Sequence, residues 1–142
     1  MISMPLSRIL KTMSGELLLD TQTFLWLGMQ TKSLSKRART ALEDTENSLY
    51  ISIASIWEIS IKKSLGKLKL PVPTTTFVSS NCSANGITTL NVEIEHAIGV
   101  EEVERIHGDP FDRLLISQAR HLGLTIISSD DIFDQYRVKR IW

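Results

Sequence analysis

Two short apolar runs that end in acid constrain this chain more than any other feature. Leu17-Leu18-Leu19 leads into Asp20, and Ile126-Ile127-Ser128-Ser129 leads into Asp130. An apolar run without polar alternation is a strand covered on both faces, the situation of parallel sheets packed between helices. Leu49 to Ser52 and Ile87 to Leu90 read as further strands, and Val138 to Ile141 as a short edge strand. Helical stretches fall between them. A short helix covers Thr23 to Met29. Leu34, Ala38, Ala41 and Leu42 form a stripe to about Thr45 behind a Ser33 or Ser35 cap. A helix capped by Ser52 or Ser55 runs through Trp57, Ile61 and Leu65 and stops at Gly66. Residues 74–85 and Glu93 to Val103 are also expected to be helical. The clearest helix has Asp109 as cap, Pro110 in its first position and Gly123 as terminator. Asp130 to Tyr136 reads as a short helix or turn. This alternation predicts an α/β sandwich with helices on both faces of a mainly parallel sheet.

The 142 residues suit one domain, expected over residues 16–142. Residues 1–15 match no clear element and are expected to form a tail or short extra helix. Apolar residues make up 42% of the chain, enough for a two-sided core. The 16 basic and 16 acidic residues cancel, so net charge argues neither for nor against nucleic acid. A single cysteine, Cys82, excludes a disulfide within the chain and any Cys-based zinc site. With no apolar run of membrane-spanning length and no leader pattern at the N-terminus, a cytoplasmic protein is expected.

Acids are the residues that carry chemistry here. Ligands of open parallel sheets bind beyond the carboxyl ends of the strands, where strand order reverses. In an order such as 3-2-1-4-5 that point lies between the strands ending in Asp20 and Asp130. Glu58 is the only charged residue from Leu49 to Ile61. A helix apolar on nearly all sides is buried, and a buried lone carboxylate needs a metal or a partner; the competing reading pairs Glu58 with Lys62 one turn on. Asp109 fits a cap, while Asp112, in the same first turn, is able to face the crevice beside Asp130. Clustered carboxylates repel one another, and a divalent cation relieves that repulsion. Oxygen donors without a His or Cys set point to Mg2+ or Mn2+, which can activate water and stabilise charge on a phosphate.

Leu18-Leu19-Asp20-Thr21, Ser55-Ile56-Trp57-Glu58, His107-Gly108-Asp109-Pro110-Phe111-Asp112-Arg113 and Ser128-Ser129-Asp130 together resemble PIN-domain ribonucleases, the VapC-type toxins of type II toxin–antitoxin systems. The resemblance runs from about Glu16 to Trp142, whereas members usually lack a segment like residues 1–15. It implies the PIN fold, with sheet order 3-2-1-4-5, and an Mg2+- or Mn2+-dependent endoribonuclease that cleaves RNA with metal-activated water. It implies Asp20, Glu58, Asp112 and Asp130 as catalytic acids. Asp20, Asp112 and Asp130 would hold the metal, Glu58 would be a ligand or orient the water, and Asp109 would assist or only cap. Ser128 would bind a metal-bound water.

Lys62, Lys63 and Arg113, with Lys67 and Arg120, are candidates to hold the RNA backbone. Trp26 and Trp57 are able to stack on a base, but their apolar neighbours favour core packing. The resemblance also implies a homodimer neutralised by a small antitoxin. The walls of the antitoxin groove would be the Ser35–Thr45 helix and the Glu58 helix. A non-catalytic alternative is a PIN-like module that binds its antitoxin and regulates transcription. A haloacid-dehalogenase-type phosphatase would need an Asp where Gln22 stands. A response-regulator receiver would need an acidic pair at the first strand that this chain does not match.

Overall fold

The computed structural model describes residues 15–142. The expected leading segment therefore lies, but for Gly15, outside the described residues. Five parallel strands form one sheet in the order β3-β2-β1-β4-β5: β1 Glu16–Leu19, β2 Ser48–Ser52, β3 Ile87–Leu90, β4 Thr125–Ile127 and β5 Arg140–Ile141. Helices α1 (Thr21–Met29), α2 (Lys36–Glu43), α3 (Ile53–Ser64), α4 (Thr74–Asn85), α5 (Ile94–Ile98) and α6 (Pro110–Leu122) connect them.

The unalternating apolar strands split between two cores. Leu17, Leu19, Leu49, Ile51 and Ile127 pack with Phe24, Leu34, Ala38, Ile59 and Phe77 from α1 to α4. Leu18 and Ile126 point the other way, to Leu115, Ile116 and Ala119 of α6 and to Phe133 and Tyr136. β1 and β4 are thus buried on both faces, which explains their composition.

Capping residues set the helix boundaries. Ser35, not Ser33, caps α2 by accepting from Ala38 N, and Ser52 caps α3. Gly66, at a φ of +71°, closes α3 with paired bonds, Lys67 N to Lys62 O and Gly66 N to Lys63 O. The stretch expected as one helix from Glu93 to Val103 divides into α5 and a 3-10 turn, Gly99–Glu102. The division falls where the chain presses on α6: a Cβ on Gly99 would lie 2.6 Å from Ser117 Oγ.

Helix α3 departs from the expectation of all-round burial. Ala54, Ser55, Glu58 and Ile59 are buried, but Trp57 is 61% exposed and Ile53 41%. Because α3 starts directly off the end of β2, only its side toward the sheet, α1 and α6 is covered.

Helix α1 meets α4 through Gly28. A Cβ there would sit 2.6 Å from Phe77 Cζ and 2.9 Å from Asn81 Nδ2. Neither neighbour yields easily: Phe77 packs edge-on against Phe24, and Asn81 donates to the Phe24 carbonyl at 2.8 Å. Alanine gains about 1 kcal/mol of helix propensity over glycine, whereas overpacking costs about 1–3 kcal/mol. Gly28→Ala should therefore lower stability to urea by about 1 kcal/mol; equal or greater stability would show that the α1–α4 contact has room.

Candidate active site at the carboxyl edge of the sheet

Parallel pairing of β1 with β4 places Leu19 beside Ile127, so the residues that follow, Asp20 and Ser128, meet beyond the edge. Asp20 serves two structural purposes there. Its Oδ1 accepts from Thr23 N at 2.8 Å, capping α1, which consequently starts at Thr21 rather than at Thr23 as expected. Its Oδ2 accepts from Ser128 Oγ at 2.5 Å, and the same hydroxyl accepts from Asp130 N at 3.0 Å. Ser128 thus ties the first acid to the backbone of the fourth. Asp130, exposed, uses Oδ1 to cap the 3-10 turn Asp131–Gln135 through Ile132 N.

Glu58 is both buried, as expected, and paired with Lys62 one turn on. It is only 7% exposed, yet Lys62 Nζ lies 2.7 Å from its Oε2. Its Oε1 accepts from Thr21 Oγ1 at 2.6 Å, fastening α3 to the start of α1. Asp109 caps α6, accepting from Phe111 N and Asp112 N. Asp112 projects separately, with His107 Nε2 3.1 Å from its Oδ2. Rings of Trp57 and Phe111 meet edge to face at 5.4 Å, bracing the helix that bears Glu58 against the one that bears Asp112.

Burial, and more weakly the charge of Asp130, pushes the Asp20 carboxyl up, against hydrogen bonds from Ser128 and Thr23 that pull it down. Burial raises Asp112 to about 6, opposed by the His107 hydrogen bond and reinforced by the nearby charges of Asp109 and Asp20. Asp20 thus feels the charge of Asp130, and Asp112 that of Asp20. Among the described residues, however, no three His, Cys, Asp or Glu side chains already converge on a point that would hold an ion. The all-oxygen, mutually repelling donor set suits a hard divalent cation, and small side-chain movements would be needed to close around it.

Several other expectations are corrected. The Arg113 guanidinium donates from Nη2 to the Val103 and Val100 carbonyls, and Arg120 pairs with Glu104 at 2.7 Å, so both are already engaged within the fold rather than simply solvated. Lys62 is committed to Glu58, whereas Lys63 and Lys67 are exposed. Trp57 lies outside the core; Trp26 is partly buried beside Trp142 as core packing required. A concave surface of about 510 Å³ beside α2 is walled by Lys36, Arg37, Thr40, Ala41 and Asp44 and closed by Ile141. Sequence reasoning missed Thr21, His107 and Tyr136. His107 stands five residues before Asp112, a spacing that offers a signal, but Tyr136 is remote in sequence.

A family model described as the PIN domain matches residues 17–139. The chain belongs to the PIN-domain family. The PIN domain here is 38% identical over 58 residues to ribonuclease VapC16 of Mycobacterium tuberculosis, a match covering 41% of this chain and 41% of that protein. Among solved structures it is similar to VapBC2 from Rickettsia felis bound to a promoter DNA fragment, with a TM-score of 0.68 at 13% identity over 88% of this chain and 96% of that one. DNA-bound VapBC from Salmonella typhimurium gives a TM-score of 0.61 at 15% identity, with the same coverage. These likenesses show the PIN fold.

Proton linkage follows from the Asp112 shift. With a folded value of about 6 against an ordinary 3.8, the native state binds more protons than the unfolded chain between those limits. Asp112 therefore costs stability progressively as pH rises through that window, and the cost is complete above it. With EDTA present, Asp112→Asn should be more stable to urea than the parent at about pH 8, by about 1 kcal/mol after solvent screening, and nearly equal at about pH 4. A parent that is equally stable to the variant at the higher pH would show that burial and neighbouring charge do not raise Asp112.

Proposed function

We propose that this PIN domain is a divalent-metal-dependent endoribonuclease acting as the toxin of a toxin–antitoxin pair. The observation that carries this reading is the gathering of acids at the switch point of the sheet: Asp130 is tied to Asp20 through Ser128, and the charge of Asp20 reaches Asp112 and adds to the upward push on its carboxyl. Similarity to a ribonuclease supports the substrate class, and similarity to VapBC assemblies supports the antitoxin.

In this reading Asp20, Asp112 and Asp130 would hold an Mg2+ or Mn2+ ion, which when bound would supply a lowered pKa of water and stabilisation of charge on the phosphate. Glu58, released from Lys62 or still paired with it, orients the attacking water as a ligand or hydrogen-bond acceptor. Ser128 keeps Asp20 and the Asp130 backbone in register, and Thr21 holds Glu58 over the crevice. Lys63 and Lys67 draw in the phosphate backbone. Trp57, exposed and braced by Phe111 beside the acids, presents a face to an unpaired base. The antitoxin is a small protein that lays an apolar helix on the surface between α2 and Ile141. As the chain is implied to be a homodimer, two such surfaces would be offered per assembly.

A second reading, a module that mainly binds its antitoxin and regulates transcription, draws on the pairing of Glu58 with Lys62 and Asp112 with His107. One experiment separates them. Purified protein should cleave structured RNA in Mg2+ or Mn2+, lose that activity in EDTA, and lose it by at least about 100-fold on Asp20→Asn. Cleavage that survives both treatments, or no cleavage in any divalent metal, removes the nuclease reading.

The aromatic face makes a separate forecast. Stacking contributes about 1–3 kcal/mol per base, so Trp57→Ala should raise KM for RNA about 10-fold with kcat little changed. Steady-state kinetics reads this directly, and an unchanged KM would take Trp57 out of substrate binding.

A further inference from the structure

Behind Asp112 lies a hydrogen-bonded chain that none of the four acids requires. Tyr136, 4% exposed, brings its hydroxyl to the loop that precedes α6. That oxygen accepts from the backbone N–H of His107 at 3.1 Å and lies 2.5 Å from the same residue's Nδ1. The opposite ring nitrogen, Nε2, lies 3.1 Å from Asp112 Oδ2.

Hydrogen counting assigns the ring. A phenol has one hydrogen to donate, and a backbone N–H cannot receive it. Among the described residues, His107 Nδ1 is the only acceptor hydrogen-bonded to the Tyr136 hydroxyl. If Nδ1 carried a hydrogen of its own, the phenolic hydrogen would be stranded in a buried place, a cost of about 1–3 kcal/mol. Nδ1 is therefore the acceptor, and the hydrogen of the imidazole sits on Nε2, where it donates to Asp112. One carboxylate oxygen is thereby held, while Oδ1 receives no hydrogen bond from the described residues. Metal-ligating carboxylates are commonly held through one oxygen in this way, and loss of the holding group weakens the site about 10- to 100-fold.

We propose that His107 and Tyr136 are positioning residues: Tyr136 fixes the His107 ring as its Nε2–H form, and that N–H holds Asp112 with one oxygen turned to a divalent cation. The proposal rests on the metal-dependent nuclease reading above. Both residues act through Asp112; neither touches substrate.

Three measurements on the full chain, under mildly alkaline conditions, test it. Nitrogen-15 shifts of the His107 ring should show a bare Nδ1 and a protonated Nε2 in the parent, with that preference lost in Tyr136→Phe. Mn2+ binding, followed by electron paramagnetic resonance without RNA, should weaken about 10- to 100-fold in Tyr136→Phe and His107→Ala, and recover in part in His107→Gln, whose amide still donates to Asp112. RNA cleavage should need correspondingly more Mg2+ for half-saturation, with kcat at saturating metal close to that of the parent. Thermal melting identifies any variant that is merely unfolded, and Tyr136→Phe keeps the buried ring. A parent ring protonated at Nδ1 overturns the assignment at once. Parent protein that binds Mn2+ and cleaves RNA, with variants that match it, overturns the positioning role and leaves the nuclease reading intact. Parent protein that neither binds Mn2+ nor cleaves overturns both, although its ring shifts still report the tautomer.

Discussion

The parallel pairing of β1 with β4 is the constraint on which the site depends. It sets side by side two stretches of chain more than a hundred residues apart, and it does so with backbone hydrogen bonds alone. Asp20, Ser128 and Asp130 then have little freedom. Asp20 must cap α1, Ser128 must bridge, and Asp130 must start the turn that leads to β5. Each polar group beyond the strand ends is used by the local backbone before any ligand is considered. A site assembled this way is rigid because its members are also the joints of the fold.

Against that rigidity stands electrostatic tension. Asp20 is nearly buried, and Asp112 is raised by its surroundings and by its acidic neighbours. The chain relieves part of this locally, with Lys62 against Glu58. Lys62 is exposed, so it can move aside at small cost, whereas Thr21 and Ser128 are buried and stay, and the His107 ring is held by Tyr136. Two kinds of support thus surround the acids: groups fixed by hydrogen bonds that set position, and a displaceable cation that offsets charge.

Much of this was legible in the sequence where one local rule dominated. Runs without alternation announced strands buried on both faces. Asp109-Pro110 and Gly123 marked the ends of α6 because capping chemistry is local. What escaped depended on neighbours distant in sequence. An apolar count along α3 could not reveal that nothing covers Trp57. Arg113 and Arg120 were read as free cations, but backbone carbonyls near Val103 and the carboxylate of Glu104 take them up. The Lys62 pairing of Glu58 was legible from the i+4 spacing, but its second partner, Thr21, comes from a helix distant in sequence.

The double duty of Asp20 has an evolutionary consequence. Asparagine caps helices as well as aspartate does, and its side-chain oxygen can still accept from Thr23 N–H. Replacing the acid there removes negative charge without dismantling the start of α1. Aspartate and asparagine codons differ by one base, so a lineage carrying this domain can shed its charge and keep its shape in a single mutational step. Loss of the carboxylate at that position would then cost the fold little beyond its bond from Ser128, and folding would be a weak guard of the acid itself.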